Sequence, residues 1–352
     1  TNGQVSGRRN IIINGAMKVA QRSTSVTGIG GSNGYFTVDR FYIGKGDTAG
    51  RLTMTQTADG PSGFANCIKL DCTTADTSVA AGELLWLEQK IEGQDLQQFK
   101  KGTSDAEQYS VSFYVKGNAN ATYALALHDT DNSRHIVKLF SVTTAWTRIT
   151  MTFPADTTGA FNDDNAHSLS VRIWLHAGST YTSGTLQSSA WAGLTGANRG
   201  VGITSFFDST DRTFFLTGLQ LEVGSVATPF EHRSFGEELV LCQRYCHRIN
   251  SNGSDDIPIG TGFYNASTTC RVMVTVPTTM RAASTFTTLD SGLDILRDSS
   301  SDTSITLDAA IDQSRHGCIL NFTGAASTTA GEGVILRLGT EAANFIEFDA
   351  EL

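Results

Sequence analysis

The chain has 352 residues, 17% of them charged and 39% hydrophobic, with 35 glycines and a formal net charge of −9. That length allows two ordinary domains, each with its own core, and the many apolar runs exclude a disordered chain. The acidic balance, with a pI near 5.2, argues against a phosphate-binding surface and hence against a nucleic-acid partner; neutral partners such as glycans are compatible with it.

Six cysteines are too sparse for a disulfide scaffold. The sequence carries neither a secretory signal nor an apolar run long enough to span a bilayer, so membrane insertion is not expected. The thiols are therefore expected to be reduced core residues, with Cys67 and Cys72 the first suspects should any disulfide exist. Thr1 reads as a processed N-terminus or as the start of a distal piece of a longer polypeptide.

In chain order, residues 1–10 read as a polar arm and Ile11 to Ile13 as a strand closed by the turn dipeptide Asn14-Gly15. Residues 23–34, nearly all Ser, Thr, Gly and Asn, read as a loop. From residue 50 to 232 the signal is period-2 alternation between turn clusters. Tyr109, Val111, Phe113 and Val115 share one face of YSVSFYVKG, and Tyr123, Leu125 and Leu127 one face of ATYALALHD. The turn DTDNS and the run RHIVKLFSV complete a hairpin. WTRITMTFP aligns Trp146, Ile149, Met151 and Phe153 with one break that reads as a bulge. Leu169, Val171, Ile173 and Leu175 point inward, leaving Trp174 and His176 on the other face. In TFFLTGLQLEVGS, Phe215, Thr217, Leu219 and Leu221 fall on one side, Phe214 and Leu216 on the other. LLWLEQKIEGQDLQQF (84–99) reads as a strand passing into a helical turn. Strands in this number, without intervening helices, predict an all-β jelly-roll sandwich over residues 11–232.

A composition break at 229–236 precedes the best helix signal, with Ser234 as N-cap, Glu237 as its capping-box partner, and an apolar stripe of Leu239, Cys242, Cys246 and Ile249. Period 2 then returns in CRVMVTVP, DSSSDTSITLD, CILNFTG, GVILRLG and NFIEFDAEL. Residues 233–352 are thus expected to form a second, smaller antiparallel β domain led by a short helix. The two-sided apolarity of its last strands predicts that it holds a trimer.

No catalytic constellation emerges. The pairs Asp163-Asp164 and Asp255-Asp256 are chain neighbours in turns and cannot flank a glycosidic bond. DTDNSRHIVKLF begins like a calcium loop at Asp129, Asp131 and Ser133, but Arg134 stands where glycine is needed and Phe140 where a bidentate glutamate is needed. His128 and His135 are expected to pair across their hairpin without a third ligand, so no metal site is assigned. Gly28, Gly30 and Gly31 lack the strand-to-helix context of a phosphate cradle, and no cofactor is expected. The loop 178–200 sets Tyr181, Trp191 and Arg199 among small polar residues. There they either stack on sugar rings, with Trp174 and His176 as a second candidate group, or, for Trp191, plug the sandwich end.

Two stretches together carry a resemblance. RNIIINGAMKVAQRSTS with GYFTVDRFYIG, and LTGLQLEVGSVATPFEHRSFGEELVLCQRYC, resemble the opening and closing segments of a module recurrent in tail-fibre and related virion proteins of bacteriophages. Cys246 departs from that pattern, which usually has an aromatic residue there. The resemblance implies a jelly roll similar to carbohydrate-binding modules, presented on a virion, commonly as a homotrimer, with no catalytic residues to transfer. The reading is a receptor-binding tail-fibre protein, assembled in the host cytoplasm, whose partners are further copies of itself, other virion proteins and a host surface glycan or lipopolysaccharide. The alternatives are a head or baseplate decoration protein and, less favoured, a polysaccharide depolymerase, which would require a parallel β-helix repeat that the sequence lacks.

Overall fold

A computed structural model of the protein describes residues 8–289, 292–297, 300–302, 305–324 and 329–352. The chain divides into one unit reaching to Glu238 and another from Leu239 to Glu351. All strand pairings among the described residues are antiparallel, so a parallel β-helix is absent from them.

In the first unit the strands are β1 (Ser25–Ile29), β2 (Gly34–Tyr35), β3 (Tyr42–Gly46), β4 (Arg51–Thr57), β5 (Cys67–Thr74), β6 (Leu84–Glu92), β7 (Tyr109–Gly117), β8 (Ala121–Asp129), β9 (Arg134–Val142), β10 (Thr147–Phe153), β11 (His167–Ala177), β12 (Ala192–Gly193) and β13 (Thr213–Val223). They form a six-stranded sheet ordered β1-β4-β5-β13-β7-β10 and a seven-stranded sheet ordered β12-β9-β8-β11-β6-β3-β2. The inward residues expected on β7, β8 and β11 all lie in the shared core. This is the expected jelly-roll β-sandwich. Residues 84–99 behave as read, with two 3-10 turns, Gly93–Asp95 and Gln97–Phe99, after β6.

Several local expectations are corrected. The break sought in WTRITMTFP is absent: Thr147 to Phe153 pair with β7 in unbroken register, and Trp146 precedes the strand. The irregularity lies in β13 instead, between Thr217 and Gln220. Gly218 there takes φ +63°, a conformation glycine adopts without steric cost. The bulge reverses parity, so Phe214, Leu216, Leu219 and Leu221 all enter the core. Residues 25–29, read as loop, form β1 because the Thr/Ser-rich segment adds to the exposed edge of β4.

Ile11–Ile13 is not a strand, because side chains take up its backbone groups. Gln89 accepts from the Ile13 amide and donates to its carbonyl, both at 2.8 Å. Asn10 is buried, not part of a free arm; its carboxamide oxygen accepts from Ile12 at 3.0 Å and Leu221 at 3.1 Å. The rest of the arm, residues 1–7, lies outside the described residues. Glu231 accepts from the amides of Arg9 and Asn10 at 3.2 and 2.7 Å, and Arg233 donates to the Ile12 carbonyl at 3.0 Å. The motifs that carry the family resemblance thus meet as a structural lock between the first and last segments of the sandwich.

Helix α1 (Ser179–Thr182) is a single turn. Helix α2 (Phe235–Gln243) has the expected capping box: the Ser234 amide donates to Glu237 at 2.9 Å and the Glu237 amide to the Ser234 hydroxyl at 3.3 Å. The apolar stripe does not continue as helix. Cys246 opens strand β14 (Cys246–Asn250), because pairing with the C-terminal strand overrides the local periodicity.

The second unit continues with β15 (Ile257–Tyr264), β16 (Thr269–Thr275), β17 (Thr285–Thr288), β18 (Leu293–Arg297), β19 (Ser300–Asp302), β20 (Ile305–Ser314), β21 (Gly317–Gly324), β22 (Gly333–Leu338) and β23 (Phe345–Asp349). A three-stranded sheet ordered β14-β23-β17 and a seven-stranded sheet ordered β19-β18-β22-β15-β16-β21-β20 enclose a core of its own. Of the segment read as DSSSDTSITLD, residues 298–299 and 303–304 lie outside the described residues. All six cysteines are buried, and none is in a disulfide. Cys67 and Cys72 sit five apart on β5 and so on opposite faces of one strand, where they cannot bridge.

Candidate functional site

Strand parity assembles a group of aromatic and charged side chains on the outer face of the larger first-unit sheet, opposite the core. Two cross-strand rows carry it. The first runs Gly44, Trp86, Trp174, Ala124; the second runs Tyr42, Glu88, Arg172, Ala126. Gly44 is required in the first row: a Cβ on it would lie 2.2 Å from Trp86 Nε1. Without that carbon, the indole can cross the strand and donate from Nε1 to Glu88 Oε2 at 2.9 Å. Glu88 also accepts from Arg172 Nε at 2.8 Å, and the Arg172 guanidinium sits 4.7 Å from the centre of the Trp86 ring.

The expected long loop crosses this face as a strap, residues 178–204. Its ends are α1 and a hydrogen bond from the Thr204 amide to the Thr122 carbonyl at 2.7 Å. Midway, β12 extends the sheet on the free edge of β9, pairing Ala192 with His135. Tyr181, Leu186 and Ile203 of the strap pack on Trp174, Ala124, Ala126 and Val137. Arg199 enters between the rings, 4.8 Å from Trp174, 5.8 Å from Trp86 and 5.9 Å from Tyr181.

Tyr181, Arg199 and Trp174 are therefore brought together as one cluster. Trp174 was expected among the candidate sugar-contacting residues on the face opposite the core; it lies on that face but is fully buried, under the chain's own strap. Trp191 is not part of the cluster, and its reading as an exposed sugar-stacking ring is corrected. It is 7% exposed in the sandwich core, 5.4 Å from the Tyr109 ring, and its Nε1 donates to the Pro154 carbonyl at 2.8 Å. It is a plug. His176 is also buried, bonded to Ser205 and Glu83 away from the aromatic group, so it is not an exposed ligand contact. Trp86, Glu88, Arg172 and Tyr42 were missed. Their signal was legible, since in LLWLEQKIE the residues Trp86 and Glu88 alternate with the core residues Leu85 and Leu87.

Electrostatics on this face favour fixed charges. Burial opposes ionisation of Glu88, but Arg172 and the Ser170 hydroxyl outweigh it and hold the carboxyl below its ordinary value. Burial, then the charge of Glu88, raises the Tyr42 hydroxyl. Arg199 is pushed down to about 10 by burial and by Arg172. The expected pair His128 and His135 does face across its hairpin. Burial pushes their pKa values down to about 3 and about 4, with the cations Arg172 and Arg199 adding to the shift at His128 and Arg199 at His135. Asp129, read as a possible start of a calcium loop, instead pairs with Lys101 Nζ at 2.7 Å. The arrangement leaves the half-buried Trp86 ring as a platform for the apolar C–H face of a pyranose, with the partly exposed Arg199 as a donor beside it, while the buried Glu88 and Arg172 fix the indole.

The sequence matches no protein-family model and no curated protein. Among solved structures, one described as "CBM4 structure and function" overlaps 60% of this chain and 97% of its own length, at 11% identity and a TM-score of 0.31. TmCBM61 in complex with β-1,4-galactotriose overlaps 61% of this chain and 99% of its own, at 9% identity and a TM-score of 0.31. The enzymatically active domain of tailspike protein 4 from bacteriophage CBA120 overlaps 61% of this chain but 21% of its own, at 11% identity and a TM-score of 0.31. At this level of superposition nothing about ligand or activity transfers; the solved structures similar to this chain include carbohydrate-binding modules and a phage tailspike domain.

Proposed function

We propose that this chain is a non-enzymatic attachment protein of a bacteriophage tail, and that the outer face of its larger first-unit sheet binds a host surface glycan. The observation that carries this reading is the half-buried Trp86 indole laid across Gly44 and framed by Tyr42, Glu88, Arg172 and Arg199. A ring platform with fixed donors and acceptors is what pyranose recognition needs. The experiment is a titration of the full-length protein against host lipopolysaccharide and capsular polysaccharide. Trp86→Ala should abolish binding and Trp86→Phe retain part of it. Equal affinity in all three would overturn the reading. Release of new reducing ends from the polysaccharide would favour a depolymerase instead.

Self-assembly through the second unit belongs to the same proposal. Cross-strand pairing aligns Leu296, Ile335, Thr261, Met273, Ile319 and Ile311 in one row on its larger sheet. Met273 is 60% and Ile335 38% exposed in this row, and a sheet face of that kind is suited to a further copy of the chain. Light scattering of the full-length protein should give a trimer, and Met273→Asp should shift it towards monomer.

A further inference from the structure

We infer that Asp76, Glu83 and His176 form a binding site for a divalent transition-metal ion of the zinc class, which staples the two roots of the strap to the end of the first-unit sandwich. The ligand atoms of the three side chains lie within 4.8 Å of one another, and all three residues are buried. They come from two segments: Asp76 and Glu83 stand at opposite ends of the loop between β5 and β6, and His176 is the penultimate residue of β11. One imidazole nitrogen with two carboxylates is a donor set that Zn2+ accepts readily. An imidazole favours such an ion over Ca2+, which takes oxygen ligands.

Charge balance points the same way. The other buried carboxylates of this sandwich discussed above are matched by cations: Glu88 by Arg172, and Asp129 by Lys101. Among the described residues no lysine or arginine lies within ion-pair distance of Asp76 or Glu83; their neighbour is His176, whose Nε2 stands 3.2 Å from Glu83 Oε2. Two buried carboxylates facing one imidazole leave an excess of negative charge, and buried charge is ordinarily paired or metal-bound.

The surroundings are built to hold these groups still. Asp76 Oδ2 accepts from the Thr48 hydroxyl at 2.9 Å and the Ala49 amide at 2.8 Å. His176 Nδ1 is 2.7 Å from the Ser205 hydroxyl, which itself accepts from the Phe207 amide at 3.1 Å. A hydrogen bond of this kind to the remote ring nitrogen fixes the orientation of a ligating histidine. Both strap roots meet here. His176 lies two residues before Gly178, the Gly178 amide donates to the Glu83 carbonyl at 2.8 Å, and Ser205 follows the strap's last residue. An ion at this point would couple strap order to metal occupancy.

The test uses full-length protein stripped with EDTA and then titrated with ZnCl2, or with CaCl2 in parallel. Calorimetry should show one Zn2+ per chain. Added Zn2+ should raise the melting temperature and slow trypsin cleavage at Arg199 in the strap. Glu83→Gln keeps an acceptor for the histidine but removes a charged ligand, so it should fold and lose the saturable Zn2+ response. Ser205→Ala should weaken Zn2+ binding by about tenfold, the usual scale for losing the hydrogen bond that orients a ligating histidine. His176→Ala should abolish binding, and the exposed His316→Ala should leave it intact. Stripped protein that neither binds Zn2+ nor changes its cleavage rate would overturn the inference. So would an undiminished response in Glu83→Gln, or a response to Ca2+ alone. Because Trp86 is not a ligand, a glycan-binding failure in Trp86→Ala leaves this outcome unaffected.

Discussion

Gly44 and Trp86 are cross-strand partners on β3 and β6, and the glycine's missing Cβ is the space the indole occupies. A Cβ would meet three indole atoms at 2.2, 2.3 and 2.8 Å. Gly44→Val should therefore expel the ring from the sheet at a cost of about 1–3 kcal/mol, the range for overpacking. Urea unfolding measures that cost, and a red-shifted tryptophan emission reports the expelled ring. Glycan affinity should fall in parallel with the emission shift.

Trp191 gives the opposite expectation. Its indole fills the core beside Tyr109 and satisfies the Pro154 carbonyl, so Trp191→Ala should cost about 3–5 kcal/mol, as for large-to-small core changes. A measured loss below about 1 kcal/mol, the size of a surface substitution, would show that the ring is not a plug.

A buried ion cluster sets a third expectation. Lys101 Nζ lies 2.7 Å from Asp129 and 3.2 Å from Asp156, and Arg134 Nε is 2.8 Å from Asp156. Lys101→Met strands Asp129 without its cation and should destabilise by about 3–5 kcal/mol. Combining it with Asp129→Asn should recover part of that loss. Chemical denaturation of the two single variants and the double variant, treated as a cycle, provides the check.

The histidines predict a pH dependence. Burial lowers the pKa of His128 to about 3 and those of His135 and His167 to about 4. Unfolded imidazoles take up protons near pH 6.5, so below that value the unfolded chain binds more protons than the folded one. The stability these groups contribute is complete above about pH 6.5 and is lost as pH falls through about 4. Melting temperatures from pH 8 to pH 4 should be flat at first and then fall. His128→Gln with His135→Gln should flatten the acid limb.

Thiol chemistry separates folded from unfolded chain. Cys67, Cys72 and Cys318 have pKa values raised to about 11, chiefly by burial, which keeps them protonated and unreactive. Native protein should react negligibly with a thiol reagent at pH 7.5. Denatured without reductant it should release six thiols per chain, as six cysteines outside any disulfide imply. Fewer than six would place a disulfide in the protein.

Local signals in the sequence determined the strands, their facing and the helix cap. Leu169, Val171, Ile173 and Leu175 could only share one face of a pleated strand, which sent Trp174 to the other face before any contact was known. Ser234 and Glu237 are three apart and cap α2 through bonds that need nothing distant. Tertiary structure alone decided what covers each face. Trp174 is buried because a strap from residues 178–204 returns over it, and Trp191 turns inward because the space beside Tyr109 accepts it. Ile11–Ile13 resembles a strand in composition, yet Gln89 and Asn10 take its backbone groups. In β13 the bulge at Gly218 reversed a parity that alternation alone had set wrongly. Asp76, Glu83 and His176 lie up to 100 residues apart in a chain whose spacing gave no sign of them. Periodicity is a property of neighbours along the chain, whereas burial and ligand geometry depend on which distant segments the fold brings together.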